Sequence, residues 1–364
     1  MEPLPNSLDD YRRLAQRLDA LPNGFPPSPD GAELRLLASL FTPEEAQLAA
    51  ALRLTRETPE QLSERLGLPA GELKDRLRQM ARKGLIAAGR TPGGLGFGLM
   101  PFVVGIYEAQ AGRLDAEVAR LFEAYFQGAF HKLLTVQPQV HRVVPVNENV
   151  RLGMEVRPFE SASQIVHGAQ AWGVLDCICR TQKALIGQPC SHPVDVCMVL
   201  APTPGAFDSH PVIHAMTEQQ ALDTLRRASD AGLVHTVSNN QEGTWYICNC
   251  CTCSCGLLRG MAELGLANVV AQSAFVNQVD ADLCQGCLSC LEGCQFNALQ
   301  MGDLVMTVST TRCVGCGVCI PLCPEEALTL VRRPPEEILP VPQSESDWRA
   351  ARAQARRIDL SQVL

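Results

Sequence analysis

Two stretches decide how this chain is read. One is Cys284-Gln285-Gly286-Cys287-Leu288-Ser289-Cys290-Leu291-Glu292-Gly293-Cys294. The other is Cys313-Val314-Gly315-Cys316-Gly317-Val318-Cys319-Ile320-Pro321-Leu322-Cys323. Both follow C-x2-C-x2-C-x3-C, and each cysteine of the second lies 29 positions after its counterpart in the first. Gly286 maps onto Gly315 at the same offset, and Ala298-Leu299 onto Ala327-Leu328, so residues 276–333 form an internal repeat. A loop this tight aims three sulfurs and several backbone N–H groups inward, wrapping one face of a cubane. The fourth cysteine starts a helix that points away and ligates the other cluster. One 4Fe–4S cluster is therefore expected on Cys284, Cys287, Cys290 and Cys323, and a second on Cys313, Cys316, Cys319 and Cys294. Zinc fits poorly, because a tetrahedral site takes four ligands and typically spaces its C-x2-C pairs well apart.

At both motifs the module resembles the bacterial two-cluster ferredoxins, over about 58 of the 364 residues. The resemblance implies two clusters close together, a one-electron wire that does no bond chemistry itself. The chain departs from the pattern once. Pro324 follows Cys323 as in the family, but Gln295 stands after Cys294. A polar residue there is expected to alter hydrogen bonding to the cluster, and hence its potential, without removing a ligand.

All 17 cysteines lie between Cys177 and Cys323. No apolar export signal is visible from Met1 to Ala20, and no apolar run is long enough to span a membrane. These features predict a cytoplasmic protein, in a reducing compartment where clustered cysteines mean metal rather than disulfides. The composition is 46% hydrophobic and 19% charged, which supports real cores, and the net charge of −8 argues against a nucleic-acid coat.

Nine more cysteines lie upstream: Cys177, Cys179, Cys190 and Cys197, then Cys248, Cys250, Cys251, Cys253 and Cys255. Adjacent Cys250 and Cys251 point in different directions on an extended backbone, so they serve different metals or leave one thiol free. His192, two residues after Cys190, offers an imidazole ligand, and Arg180 a charge to offset a cluster. At least one further iron–sulfur site is expected here, with zinc as the lesser alternative, and the spacing leaves the grouping open. The whole arrangement is similar to a family of multidomain ferredoxins that join a winged helix, a Cys-rich middle and a two-cluster module. That resemblance implies iron in the middle but no reaction.

Upstream of the cysteines the periodicity is helical. Thr58-Pro59-Glu60-Gln61 has the form of a capping box and predicts a helix ending at Gly67. A second helix follows from Pro69 and buries Leu73, Leu77, Met80 and Ala81. Gly84 closes it, Leu85–Ala88 reads as a strand, and Gly93-Gly94 turns the chain toward a return strand over Leu95–Leu99. This order resembles a winged helix-turn-helix. Longer helices are expected over 111–134, where the apolar strip is core or a dimer seam, and over 160–172. Strand-like segments are expected at 140–146, with a hairpin at 233–237 and 244–247 delivering Cys248.

The expected fold is therefore α+β and multidomain. It comprises a leader segment (1–30), a winged-helix domain (31–105), a Cys-rich metal-binding α+β middle domain (106–275), the ferredoxin-like dicluster domain (276–333), and a Pro-rich linker with a tail helix (334–364). Over 70–90, Lys74, Arg76, Arg78, Arg82, Lys83 and Arg90 oppose only Glu72 and Asp75, a local charge of +4. The patch suits contact with DNA or a partner, and docking is the favoured use. There is no P-loop, dinucleotide fingerprint or nucleophile–base constellation. The leading expectation is an iron–sulfur electron-transfer protein serving a partner oxidoreductase, a carrier or component rather than a stand-alone enzyme, with a homodimer as a further option. Its rivals are a redox- or iron-sensing transcriptional regulator and an enzyme working at the middle cluster.

Overall fold

The computed structural model describes residues 8–145, 150, 154–266 and 268–364, and the chain divides into two units. Part of the leader segment and Val146, the end of an expected strand, lie outside the described residues. No helix among the described residues is long and apolar enough to cross a membrane.

The first unit comprises the chain up to Val136, residues 185–187 and Arg349–Leu364. It holds α1 (Asp9–Asp19), α2 (Ala32–Leu40), α3 (Pro43–Ala50), α4 (Pro59–Leu66) and α5 (Ala70–Arg82), the hairpin β1 (Ala87–Thr91) and β2 (Gly94–Gly98), and α6 (Ala116–Gly128). Thr58 and Gln61 cap α4 reciprocally, as Thr42 and Glu45 cap α3, each pair satisfying backbone donors at the helix start. Gly67, at φ 68°, ends α4 in the left-handed conformation glycine adopts freely. The hairpin starts two residues later than expected, because Leu85 and Ile86 are buried in the core instead of pairing.

Helix α6 is shorter than the apolar strip suggested. Asp115 caps it by accepting from the N–H groups of Glu117 and Val118, and Phe130–Leu133 continues as a 3-10 turn. Val118, Phe122, Tyr125 and Phe126 are buried in this unit's own core, so the strip is core. The segment read as a leader also supplies core. Phe25 is 1% exposed and packs its ring 4.6 Å from Tyr125 and 4.8 Å from Phe102. Phe25→Ala is expected to lower the unfolding free energy of this unit by about 3–5 kcal/mol, read from the urea midpoint. A change under about 1 kcal/mol would return these residues to leader status. In the tail, Arg352 donates to the carbonyls of Pro22 and Leu133 at 3.0 and 3.1 Å.

The second unit carries β3 (His141–Val143), α7 (Ala162–His167), β4 (Ala171–Leu175), α8 (Ile178–Leu185), β5 (Cys197–Ala201), β6 (His214–Met216), α9 (Glu218–Asp230), β7 (Val234–Ser238), β8 (Tyr246–Cys250) and α10 (Arg259–Leu264). The helix expected over 160–172 stops at His167, and Trp172 lies instead in β4, its indole N–H donating to the Val166 carbonyl. The strands form one antiparallel sheet in the order β3-β7-β8-β5-β4-β6. Strand alternation divides its two faces. Met198, Leu200, Val237 and Ile247 join a core with Ala162 and Val166 of α7 and Ala221 and Leu225 of α9. The alternate positions Cys197, Thr236, Cys248 and Cys250 point to the other face.

The same unit contains the repeat: β9 (Phe275–Val279), α11 (Ser289–Gly293), β10 (Leu299–Met301), β11 (Met306–Val308) and β12 (Leu328–Arg332). β9 pairs with β12 and β10 with β11, so the first strand of each half meets the last strand of the other. The 29-residue offset reaches into the backbone. Positive φ recurs at Gly286 and Gly315, Leu288 and Gly317, and Asn297 and Glu326.

Candidate metal centre

Crossed strand pairing gathers the eight module cysteines into two sets. Cys290 feels the thiols of Cys323, Cys287 and Cys284. Cys316 feels Cys313 and Cys294, and Cys319 feels Cys316, Cys294 and Cys313 and, least, Cys290 of the first set. In both sets the fourth cysteine comes from the opposite half. Burial raises the Cys290, Cys316 and Cys319 thiols, and the neighbouring thiols raise them further. Such crowded thiols ionise together only around a cation, and thiolates suit iron.

Donors are already aimed at these sulfurs. The Ala298 and Ala327 amides, one repeat apart, each donate to Sγ of the cysteine four residues before, Cys294 and Cys323, at 3.3 Å. The Met306 amide points at Cys284 at 3.5 Å, and the buried Asn277 side chain donates to Cys319 at 3.1 Å. Donors to sulfur stabilise the more negative, reduced state of a cluster, which tunes its potential upward.

The nine middle cysteines fall into two groups. Six are neighbours in a closed ring in which each thiol shifts the next: Cys177 with Cys179 and Cys197, Cys197 with Cys248, Cys248 with Cys250, Cys250 with Cys255, and Cys255 with Cys179. Sheet register builds one side, since Cys197 and Cys248 adjoin the facing pair Met198 and Ile247 where β5 and β8 run antiparallel. The start of α8 supplies Cys177 and Cys179. Cys177 is lowered by thiol donors Cys179 and Cys197, and Cys250 is lowered to about 6 by donors Cys248 and Cys255. Cys179, Cys197 and Cys248 are pushed far up by donating to their neighbours. The ring alone therefore favours negative charge on Cys177 and Cys250 over the other four sulfurs. Charging the other four sulfurs takes a metal cation in place of their protons.

Arg180, 2% exposed, follows Cys179. It donates to the Asn249 carbonyl at 2.5 Å, while its Nε and Nη1 have no hydrogen-bond partner among the described residues. Burial disfavours its charge, but the thiols of Cys177, Cys251, Cys197 and Cys250 outweigh that and raise its pKa. Cys190, His192, Cys251 and Cys253 make the second group, with all four ligand atoms within 4.8 Å of one another. Cys250 and Cys251 thus face different groups.

Gln295 departs from the expectation attached to it. Among the described residues its amide reaches no module thiol; the side-chain oxygen accepts from the Thr252 N–H at 2.7 Å and the nitrogen donates to the Gly232 carbonyl. The residue after Cys294 is thereby tied to the loop between Cys251 and Cys253. Gln295→Ala is expected to leave the iron content unchanged while hydrogen exchange at Thr252 accelerates roughly 5–30-fold, matching a local loss of about 1–2 kcal/mol. Unchanged exchange would show that the tie does not hold the loop.

Of the six basic residues singled out on α5 and the hairpin, Lys74, Arg78, Arg82, Lys83 and Arg90 are exposed and Arg76 is half-buried. Lys83 pairs with Glu45 at 2.7 Å, and Arg76 donates to the Glu44 carbonyl.

Residues 283–328 match the family of 4Fe-4S dicluster domains, a span that includes all eight module cysteines. The chain therefore carries a ferredoxin-like 4Fe–4S module at its C-terminal end, within a mixed helix-and-sheet structure rich in further cysteines. No curated protein and no solved structure matches the chain.

Proposed function

We propose that this protein is an iron–sulfur electron carrier. It relays single electrons through two clusters in the module and a further iron–sulfur site in the six-thiol ring, to or from a partner oxidoreductase. One observation carries the reading: within one folded unit, the 4Fe–4S module is hydrogen-bonded through Gln295 to the loop that continues from the cysteine-bearing strand β8. Clusters held at these sites supply one-electron storage. The chain's own part is to fix the sulfurs, aim the Ala298, Ala327 and Asn277 donors at them and set Arg180 beside the ring.

In this reading α2–α5 and the β1–β2 hairpin are a winged helix-turn-helix that docks the redox partner, and the protein works in the cytoplasm, where thiols stay reduced. The exposed basic residues on α5 favour a second reading, a redox- or iron-sensing regulator that contacts DNA phosphates.

The test is anaerobic stopped-flow reduction of the loaded protein by dithionite, then reoxidation by a one-electron acceptor. A carrier bleaches and recovers fully over repeated cycles with no other substrate. Failure to recover, combined with DNA binding that depends on cluster state and weakens steeply with salt, would favour the regulator.

A further inference from the structure

We infer that Cys190, His192, Cys251 and Cys253 form a separate site for a single tetrahedral divalent ion of the zinc type. The inference does not depend on the electron-carrier reading. Metal–sulfur bonds of about 2.3 Å and metal–nitrogen bonds of about 2.0–2.1 Å place the ligand atoms of a tetrahedral site roughly 3.6–3.8 Å apart. All four atoms here lie within 4.8 Å of one another, and Cys253 Sγ is 3.8 Å from His192 Nδ1. A cubane carries its four ligating sulfurs on separate corners and needs them farther apart, so this group suits one ion rather than a 4Fe–4S cluster. Three thiolates with one imidazole is also a donor set of structural zinc.

Two short chelating arms build the site. Cys190 and His192 come from the segment before β5, and Cys251 and Cys253 from the loop after β8. The division from the six-thiol ring falls between adjacent residues, because Cys250 ends β8 facing the ring while Cys251 begins the loop. An ion here would clamp the loop that Gln295 holds through Thr252, fixing the junction between middle domain and module.

The test is metal analysis of the full-length, anaerobically purified protein, with cobalt as a spectroscopic probe. Wild type is expected to hold about one zinc per chain beside its iron. Cobalt supplied after zinc removal should give tetrahedral d–d bands with thiolate charge transfer. Cys253→Ser, at an exposed position, and His192→Gln should each lose the zinc and change the cobalt bands while iron and sulfide stay at wild-type levels. The inference is overturned if wild type binds neither zinc nor cobalt. It is also overturned if either substitution removes iron, since the group would then ligate a cluster.

Discussion

Gly315→Ala is expected to cost the protein one cluster of its dicluster module, seen as a loss of about four irons per chain. Gly315 sits at φ +71°, and a Cβ there would lie 2.1 Å from the Phe275 carbonyl oxygen and 2.2 Å from Ser273 Oγ. Neither neighbour can retreat. Ser273 Oγ donates to the Gly315 carbonyl at 2.8 Å, its backbone N–H donates to the Val314 carbonyl, and the Arg333 Nε donates to the Phe275 carbonyl at 3.0 Å. The loop between Cys313 and Cys316 would have to move away from β9, carrying two ligands of one set with it. Gly67→Ala is the control: φ is similar at +68°, but no atom of the described residues lies within 4 Å of the added Cβ. That substitution should cost only about 1 kcal/mol of left-handed strain and no iron. Full iron in Gly315→Ala would mean that the loop can bind its cluster in another conformation.

If the six-thiol ring holds the proposed iron–sulfur site, Arg180→Gln is expected to lower its reduction potential by on the order of 100 mV. A positive charge beside a thiolate ring favours the extra electron of the reduced state. At an effective dielectric near 20 and a separation of about 6–8 Å, one charge contributes roughly 2–3 kcal/mol, and each 59 mV is tenfold for a one-electron couple. Burial limits screening, so the shift should persist in salt. Arg180→Lys should recover part of it. Anaerobic EPR-monitored titration reads the change. A middle-site potential unmoved by Arg180→Gln would reduce this side chain to a packing role.

The parts legible in the sequence are those governed by short-range spacing. The cysteines of each repeat are set by a local loop, and the Thr58–Gln61 capping box needs only a four-residue window. The grouping of the nine middle cysteines was not legible, because it depends on register between distant strands. Cys197 meets Cys248 only once β5 and β8 are paired. Extended-strand alternation did separate Cys250 from Cys251, since it acts between neighbours. Gln295 was visible as a departure after Cys294, but its partners, Thr252 and Gly232, come from elsewhere in the fold. The long strip at 111–134 misled because apolar periodicity continues through a 3-10 turn as readily as through a helix, while the Asp115 cap marks the true start of α6.

We propose that iron–sulfur chemistry extends beyond the module into the six-thiol ring. Anaerobic iron and sulfide quantitation, with EPR of the reduced protein, tests it most directly when wild type is compared with a Cys248→Ser, Cys250→Ser double variant. About twelve or more irons in wild type, with an EPR component that disappears in the variant, is the predicted result. About eight irons and identical spectra for the two proteins would contradict it, confining iron to the dicluster module.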